Sequence, residues 1–286
     1  QLTALSALPR AIARLSQPKR LKLGRGIGRI LGASMKKRNH IMDCNIAIAF
    51  PELDQHARKA LIKSHWQRLG EGICEGFWGW FGDHSQVPEY EIIGREHLEQ
   101  ARQQGQGVIL NAAHVTDMEL GVYFVARHYP VHAVYRPNNH PVLDVLINSG
   151  RIPHLAGLIP RNNTRAMVKA LRAGEVLWTA PDQNYHGKTS AFIPFFGRQA
   201  ATNTAVPMLA RLGRAVVLPY QVRRDQQRYQ LIVEPPVATT LKPDDTDYTR
   251  SLVLQLEREI SKCPASYLWG HKRFKTQPPE YKNPYQ

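Results

Sequence analysis

Val108-Ile109-Leu110-Asn111-Ala112-Ala113-His114-Val115-Thr116-Asp117-Met118-Glu119-Leu120 is the stretch from which the rest of the chain is read. Glycines 105 and 107 punctuate its start, and residues 108–112 read as a short strand. Residues 120–128 then take helical spacing. A strand passing directly into a helix is the unit of parallel α/β sheets, which place their ligands at the carboxyl ends of strands. The alternation continues outward, with strands expected at 131–136, 176–179, 215–220 and 228–233 and helices at 141–149, 164–173, 203–212 and 247–262. Upstream, Ala57, Leu61, Trp66, Leu69, Ile73, Phe77 and Trp80 form the core stripe of a helix over 54–81. The fold class is α/β: a single domain over residues 43–286, with a mixed, mostly parallel sheet covered by helices.

Composition narrows the function. The chain has 286 residues, 43% hydrophobic and 21% charged, enough to bury a core and unlike a disordered sequence. Cys44, Cys74 and Cys263 lie far apart with no CxxC pair, which argues against a disulfide framework or a zinc site and fits a reducing compartment. No apolar run reaches the roughly 18 residues of a membrane span. There is no GxxxxGK[ST], no strand-linked GxGxxG, no GxSxG and no HExxH, which argues against NTPases, dinucleotide-dependent dehydrogenases, α/β-hydrolases and zinc proteases. Gly24, Gly26 and Gly28 follow no strand and make no nucleotide loop. No cofactor and no metal is expected.

Charge points to a partner. Of the net +15, ten charges lie within residues 1–42, which contain ten Lys and Arg and no acid before Asp43. Leu2, Leu5, Leu8, Ile12, Leu15, Leu21, Leu23, Ile27, Ile30 and Leu31 interleave at spacings of three and four, as in helices lying on a membrane. Each cation near an anionic leaflet contributes about 1 kcal/mol. Residues 1–42 are therefore read as a basic amphipathic segment for an anionic membrane surface. Nucleic acid is not expected, since it calls for aromatic interleaving or a known binding fold. The plainer reading is a solvated arm. The chain opens with Gln1 rather than Met, so upstream residues, a membrane anchor among them, are expected.

His114 carries the candidate chemistry. It sits on the loop before the helix, and Glu119 falls in the first helical turn. A carboxylate bonded to a histidine fixes its tautomer and stabilises the imidazolium as the base takes a proton. Asp117 is the rival partner. Thr116-x-x-Glu119 also reads as a capping box, which would make Glu119 purely structural.

Further segments give the pattern a family. These are Tyr135-Arg136-Pro137-Asn138-Asn139-His140-Pro141, Leu158-Ile159-Pro160-Arg161, Ala180-Pro181-Asp182-Gln183, Phe192-Ile193-Pro194-Phe195-Phe196-Gly197 through Ala201-Thr202-Asn203-Thr204, and Tyr267-Leu268-Trp269-Gly270-His271-Lys272-Arg273-Phe274-Lys275-Thr276. In this order the chain, from about Gly24 to Thr276, resembles the late acyltransferases of lipid A biosynthesis in Gram-negative bacteria. These belong to the wider glycerolipid-acyltransferase-like His-x-x-x-x-Asp/Glu group. Gly270 departs from that pattern, where a bulkier residue is expected, and so does Asn203, where Thr is expected.

The resemblance implies acyl transfer from an acyl carrier protein thioester to a hydroxyl on a Kdo-bearing lipid A precursor, at the cytoplasmic face of the inner membrane. It also implies a membrane span ahead of Gln1. His114 would be the base and Glu119 its orienting partner, with no covalent acyl-enzyme. Oxyanion donors would come from backbone amides near Asn111–Val115 or from Arg161. Arg136 and Arg161 would clamp phosphates, with surface ion pairs as the plainer reading. Asp182 is read equally as a loop stabiliser or a site residue. Asn111, Lys272 and Arg273 complete the candidate substrate contacts; a solvated tail is the plainer reading for the cluster at 271–275. Another polar lipid acceptor, a glycosyl-phosphoinositide or ornithine-type lipid, is the alternative.

Overall fold

A computed structural model describes residues 6–237 and 246–286. Four helices come first: α1 (Ala7–Ala13), α2 (Gln17–Ser34), α3 (Lys36–Ala49) and α4 (Gln55–Phe81). They are followed by β1 (Tyr90–Ile93), α5 (Arg95–Gln103), β2 (Gly107–Asn111), α6 (Met118–Ala126), β3 (Val131–Tyr135), α7 (Pro141–Arg151), β4 (Gly157–Pro160), α8 (Thr164–Arg172) and β5 (Val176–Thr179). A hairpin, β6 (Ser190–Phe195) and β7 (Arg198–Asn203), precedes α9 (Ala205–Gly213), β8 (Ala215–Asp225), β9 (Arg228–Val233) and α10 (Thr246–Lys262). The seven-stranded sheet runs β1-β9-β8-β2-β5-β3-β4, parallel throughout except for the β8–β9 pair. This is the α/β architecture expected from the strand–helix alternation. Every residue of β2 is buried, as a strand flanked on both sides and covered on both faces requires.

The sequence reading missed β1, α5, β4 and the β6–β7 hairpin. The hairpin closes through Phe196 and Gly197, both at positive φ (48° and 74°), the conformation of a two-residue primed turn. Phe196 is a poor residue for that conformation and hides the turn from the sequence. Its amide donates to the Glu257 carboxylate of α10 at 2.9 Å, which ties the turn down.

Charge pattern alone also misrepresents the N-terminal segment. Leu2 and Leu5 lie outside the described residues. Leu8, Leu23 and Ile30 are exposed, but Ile12 and Leu21 are core residues and Arg20 is 3% exposed. Helix α2 lies along α4, and the boundary at residue 42 falls within α3, whose Met42 and Ile46 are buried. Glycines explain how two helices carrying large side chains approach so closely. A Cβ at Gly28 would strike the Trp66 carbonyl, and one at Gly70 the carbonyl of Gly24. Further along α4, Gly72 and Gly79 leave room for Thr116 and Leu120 of the segment carrying His114. The glycine-rich stretch is a helix-packing seam.

Gly28→Val should cost about 1–3 kcal/mol through overpacking. Gly26→Ala, where nothing lies within 4 Å, should be neutral or stabilising by up to about 1 kcal/mol. Thermal unfolding of the two variants checks the contrast.

Candidate active site

Strands β2 and β5 end in register, with Asn111 opposite Thr179. Three residues beyond that pair, on parallel chains leaving the same sheet edge, stand His114 and Asp182. The His114 Nδ1 donates to Asp182 Oδ1 at 2.6 Å, and the His114 backbone amide donates to Oδ2 at 3.2 Å. A carboxylate only accepts, so the proton sits on Nδ1 and Nε2 carries the lone pair. The imidazole remains 25% exposed while the Asp182 side chain is 2% exposed. The turn is pinned from the other side: Thr116 N donates to Ser266 O at 2.8 Å and Leu268 N to His114 O at 3.0 Å.

Burial by itself would lower the His114 pKa, but the Asp182 charge and hydrogen bond outweigh it and the net shift is upward. Asp182 moves the other way, below its usual value, because the His114 bonds overcome its desolvation. Burial and then the neighbouring Asp182 push the Tyr267 hydroxyl well above its ordinary range. Burial lowers His271 to about 4, so it stays neutral and its Nε2 accepts from the Asn184 amide at 3.1 Å.

The expected His114–Glu119 bond is therefore replaced by one to Asp182. Glu119 accepts from Trp80 Nε1 and Arg151 Nε, each at 3.0 Å, and pairs again through Arg151 Nη2. It also makes no capping box: Thr116 Oγ1 donates to Asp117 at 3.0 Å instead. The fields of both Glu119 and Arg151 nonetheless reach His114, raising and lowering its pKa respectively.

Asp117 is 2% exposed and accepts from Arg224 Nε at 3.0 Å, and the same guanidinium pairs with Glu71 of α4. Beside this group, Arg20 Nε donates to Glu75 at 2.6 Å and the Tyr229 hydroxyl to the same carboxylate at 2.8 Å. These buried charges tie α2 and α4 to β8 and β9 and to the start of α6, fixing the turn on which His114 stands.

Comparison with known proteins decides the family. The family model for bacterial lipid A biosynthesis acyltransferases matches residues 4–276. The chain belongs to this family. It is 35% identical over 272 residues to the lipid A biosynthesis lauroyltransferase of Escherichia coli K12, covering 93% of this chain and 89% of that protein. It is 33% identical to the palmitoleoyltransferase of the same organism (90% and 85% covered), and 25% identical to its myristoyltransferase (100% and 88% covered).

Asp182, which holds the acyltransferase's histidine, lines one apolar cavity, and Glu119 and Arg151 line another. One is lined by Asn111, Asp182, Phe195, Arg273 and the apolar face of α10. Asn111 Oδ1 is buried there without a hydrogen-bond partner in the protein. The other is lined by Trp80, Glu119, Tyr123, Arg151, Leu155 and Trp178. Arg273 is 3% exposed and committed to Ala201 O at 2.8 Å and Thr202 Oγ1 at 2.6 Å, so it is no part of a solvated tail. Lys272 is exposed, its ammonium 5.5 Å from the Tyr285 ring, on an open groove with Lys36, Lys37 and Arg38. Arg136 and Arg161 are exposed beyond the ends of β3 and β4; β5 and β3 lie between β2 and β4. Among the amides expected as oxyanion donors, Ala112 and His114 are already bonded to Thr179 O and Asp182. Among the described residues no cluster of His, Cys, Asp or Glu is arranged to hold a metal, and no helix is long and apolar enough to cross a membrane.

Sequence reasoning passed over Arg151, Tyr267 and Arg224 as site residues and assigned Trp80 to the core stripe. Each is defined by a partner far along the chain, and only the Tyr267 segment carried any signal, through its family motif.

Removing the Asp182 charge leaves burial as the largest influence on His114. In Asp182→Asn the imidazole should titrate below its ordinary 6.5 instead of above it, as read by NMR. Arg224→Met should cost about 3–5 kcal/mol, because it strands two buried carboxylates. Arg25→Met, at the exposed end of the same network, should cost under about 1 kcal/mol in chemical denaturation.

Proposed function

We propose that this acyltransferase moves a fatty acyl chain from an acyl carrier protein thioester to the hydroxyl of a hydroxy-acyl chain on a Kdo-containing lipid A precursor. The observation that carries the reading is the His114–Asp182 bond at 2.6 Å, on a partly exposed imidazole whose carboxylate partner lines an apolar cavity. His114 Nε2 takes the proton of the acceptor hydroxyl as its oxygen attacks the thioester carbonyl. Asp182 holds the tautomer and stabilises the imidazolium. The carbon–oxygen bond forms, the carbon–sulfur bond breaks, and His114 returns the proton to the departing thiolate. No acyl-enzyme is required.

Glu119 acts through Arg151 in this reading, holding the cation whose field reaches His114 while adding a negative charge of its own. A cation near the reacting carbonyl stabilises the oxyanion. The apolar cavity walls suit hydrocarbon chains of donor and acceptor. The open groove of Lys36, Lys37, Arg38 and Lys272 suits an acidic carrier protein, and Arg136 and Arg161 suit lipid phosphates. The site of action is the cytoplasmic face of the bacterial inner membrane.

Mass spectrometry tests this with lauroyl- or myristoyl-loaded carrier protein and a Kdo-linked tetra-acylated precursor. The product should gain one acyl group. His114→Ala should lose turnover by on the order of 10²–10⁴-fold with folding unchanged. Glu119→Gln should lose most of its turnover, and retained activity would reduce Glu119 to a structural role. Because His114 must be neutral to act and its pKa is raised, wild-type rate should climb as pH rises through a value above 6.5.

A further inference from the structure

Helix α7 departs from the rule that a helix in a folded domain buries its apolar stripe. Five of its residues are aliphatic (Val142, Leu143, Val145, Leu146 and Ile147), and none is buried. Val142, Leu143 and Val145 are 40%, 46% and 44% exposed, and Ile152, just past the helix end, is 59% exposed. Val142, Val145 and Ile152 follow at intervals of three and seven, along one side. The buried residue of α7 is Gly150, seated against the Trp80 ring.

The charge around this face has one sign. Between residues 136 and 165 there are four arginines and one carboxylate, Asp144. Asp144 is spent within the helix start: it accepts from the Asn138 amide at 2.6 Å and from Asn148 Nδ2 at 3.0 Å. Arg151 points inward to Glu119. Arg136 and Arg161 are exposed and adjacent, because Tyr135 and Pro160 pair across β3 and β4 and each arginine is the next residue. An aliphatic face beside exposed cations complements a layer with apolar tails beneath anionic head groups. The C-terminal end of α7 and the residues after it, Arg151, His154 and Leu155, form one wall of the cavity that holds Glu119.

We propose that α7 is a membrane-docking helix, sinking Val142, Val145 and Ile152 into an anionic bilayer while Arg136 and Arg161 meet lipid phosphates. It sets the cavity wall at the bilayer surface, where a lipid acceptor resides. This rests on the acyltransferase reading for the identity of the lipid, but docking itself requires no turnover.

Vesicle flotation with the full chain separates the two, since it uses no acyl donor. On vesicles of phosphatidylglycerol and phosphatidylcholine, Val142→Asp/Val145→Asp should bind about ten-fold or more weakly than wild type at an unchanged melting temperature. Val145→Trp should bind more tightly, with a blue-shifted indole emission. Arg136→Gln/Arg161→Gln should erase most of the preference for anionic over pure phosphatidylcholine vesicles. Ile30→Asp, on the exposed side of α2, should change binding by less than about two-fold. Wild-type-like binding of the double aspartate variant would overturn the proposal. So would failure of the wild type to bind either vesicle, or a loss of binding confined to Ile30→Asp.

Discussion

Asn111 lies opposite Thr179 in two parallel strands, and the His114–Asp182 pair depends on that register. Parallel neighbours leave the sheet in the same direction, so residues equally far past a paired position stay side by side. His114 and Asp182, each three residues on, meet without any special loop. A one-residue slip would turn β2's side chains to opposite faces and separate the pair. Complete burial of β2 on both sides, with β5 and β8 as neighbours, makes such a slip costly.

The turn after β2 must also be held, and charge does this from inside. Arg224 bridges Asp117 and Glu71, and Arg20 satisfies Glu75, all in places nearly closed to water. Buried ion pairs add little net stability over an apolar core, but they are intolerant of misplacement. Together with the α4 glycines that admit Thr116 and Leu120, they fix the angle at which the His114 turn leaves the sheet. Part of the basic excess is thus internal structure. Arg20, Arg224 and Arg273 are each buried with partners, and Arg151 is turned into the site.

Electrostatics at His114 results from opposition. Burial disfavours the imidazolium and Asp182 favours it more strongly, leaving an imidazole whose pKa is raised above its ordinary value. Glu119 and Arg151 act on it in opposite directions, so changing either one alone shifts the balance. His271, close enough to feel His114 and Asp182, has no bonded carboxylate and stays neutral.

The sequence by itself determined the alternation of strands and helices, the loop position of His114, the helix at α4 and the family, whereas of the stripe expected in the core of α4 only Trp66 is buried. Each of these follows from local periodicity or from ordered short motifs. It did not reveal short elements such as β1 and β4, whose few residues carry too little periodicity, or a hairpin turned through Phe196. Nor did it show that residues 17–34 are a packed helix, because a glycine seam leaves no apolar signature. Tertiary structure alone decided which carboxylate holds His114. Glu119 is five residues away but reaches to Arg151 and Trp80, whereas Asp182 is 68 residues away and one strand over. Periodicity reports which face a residue occupies, and only the register of the sheet reports which neighbour it meets.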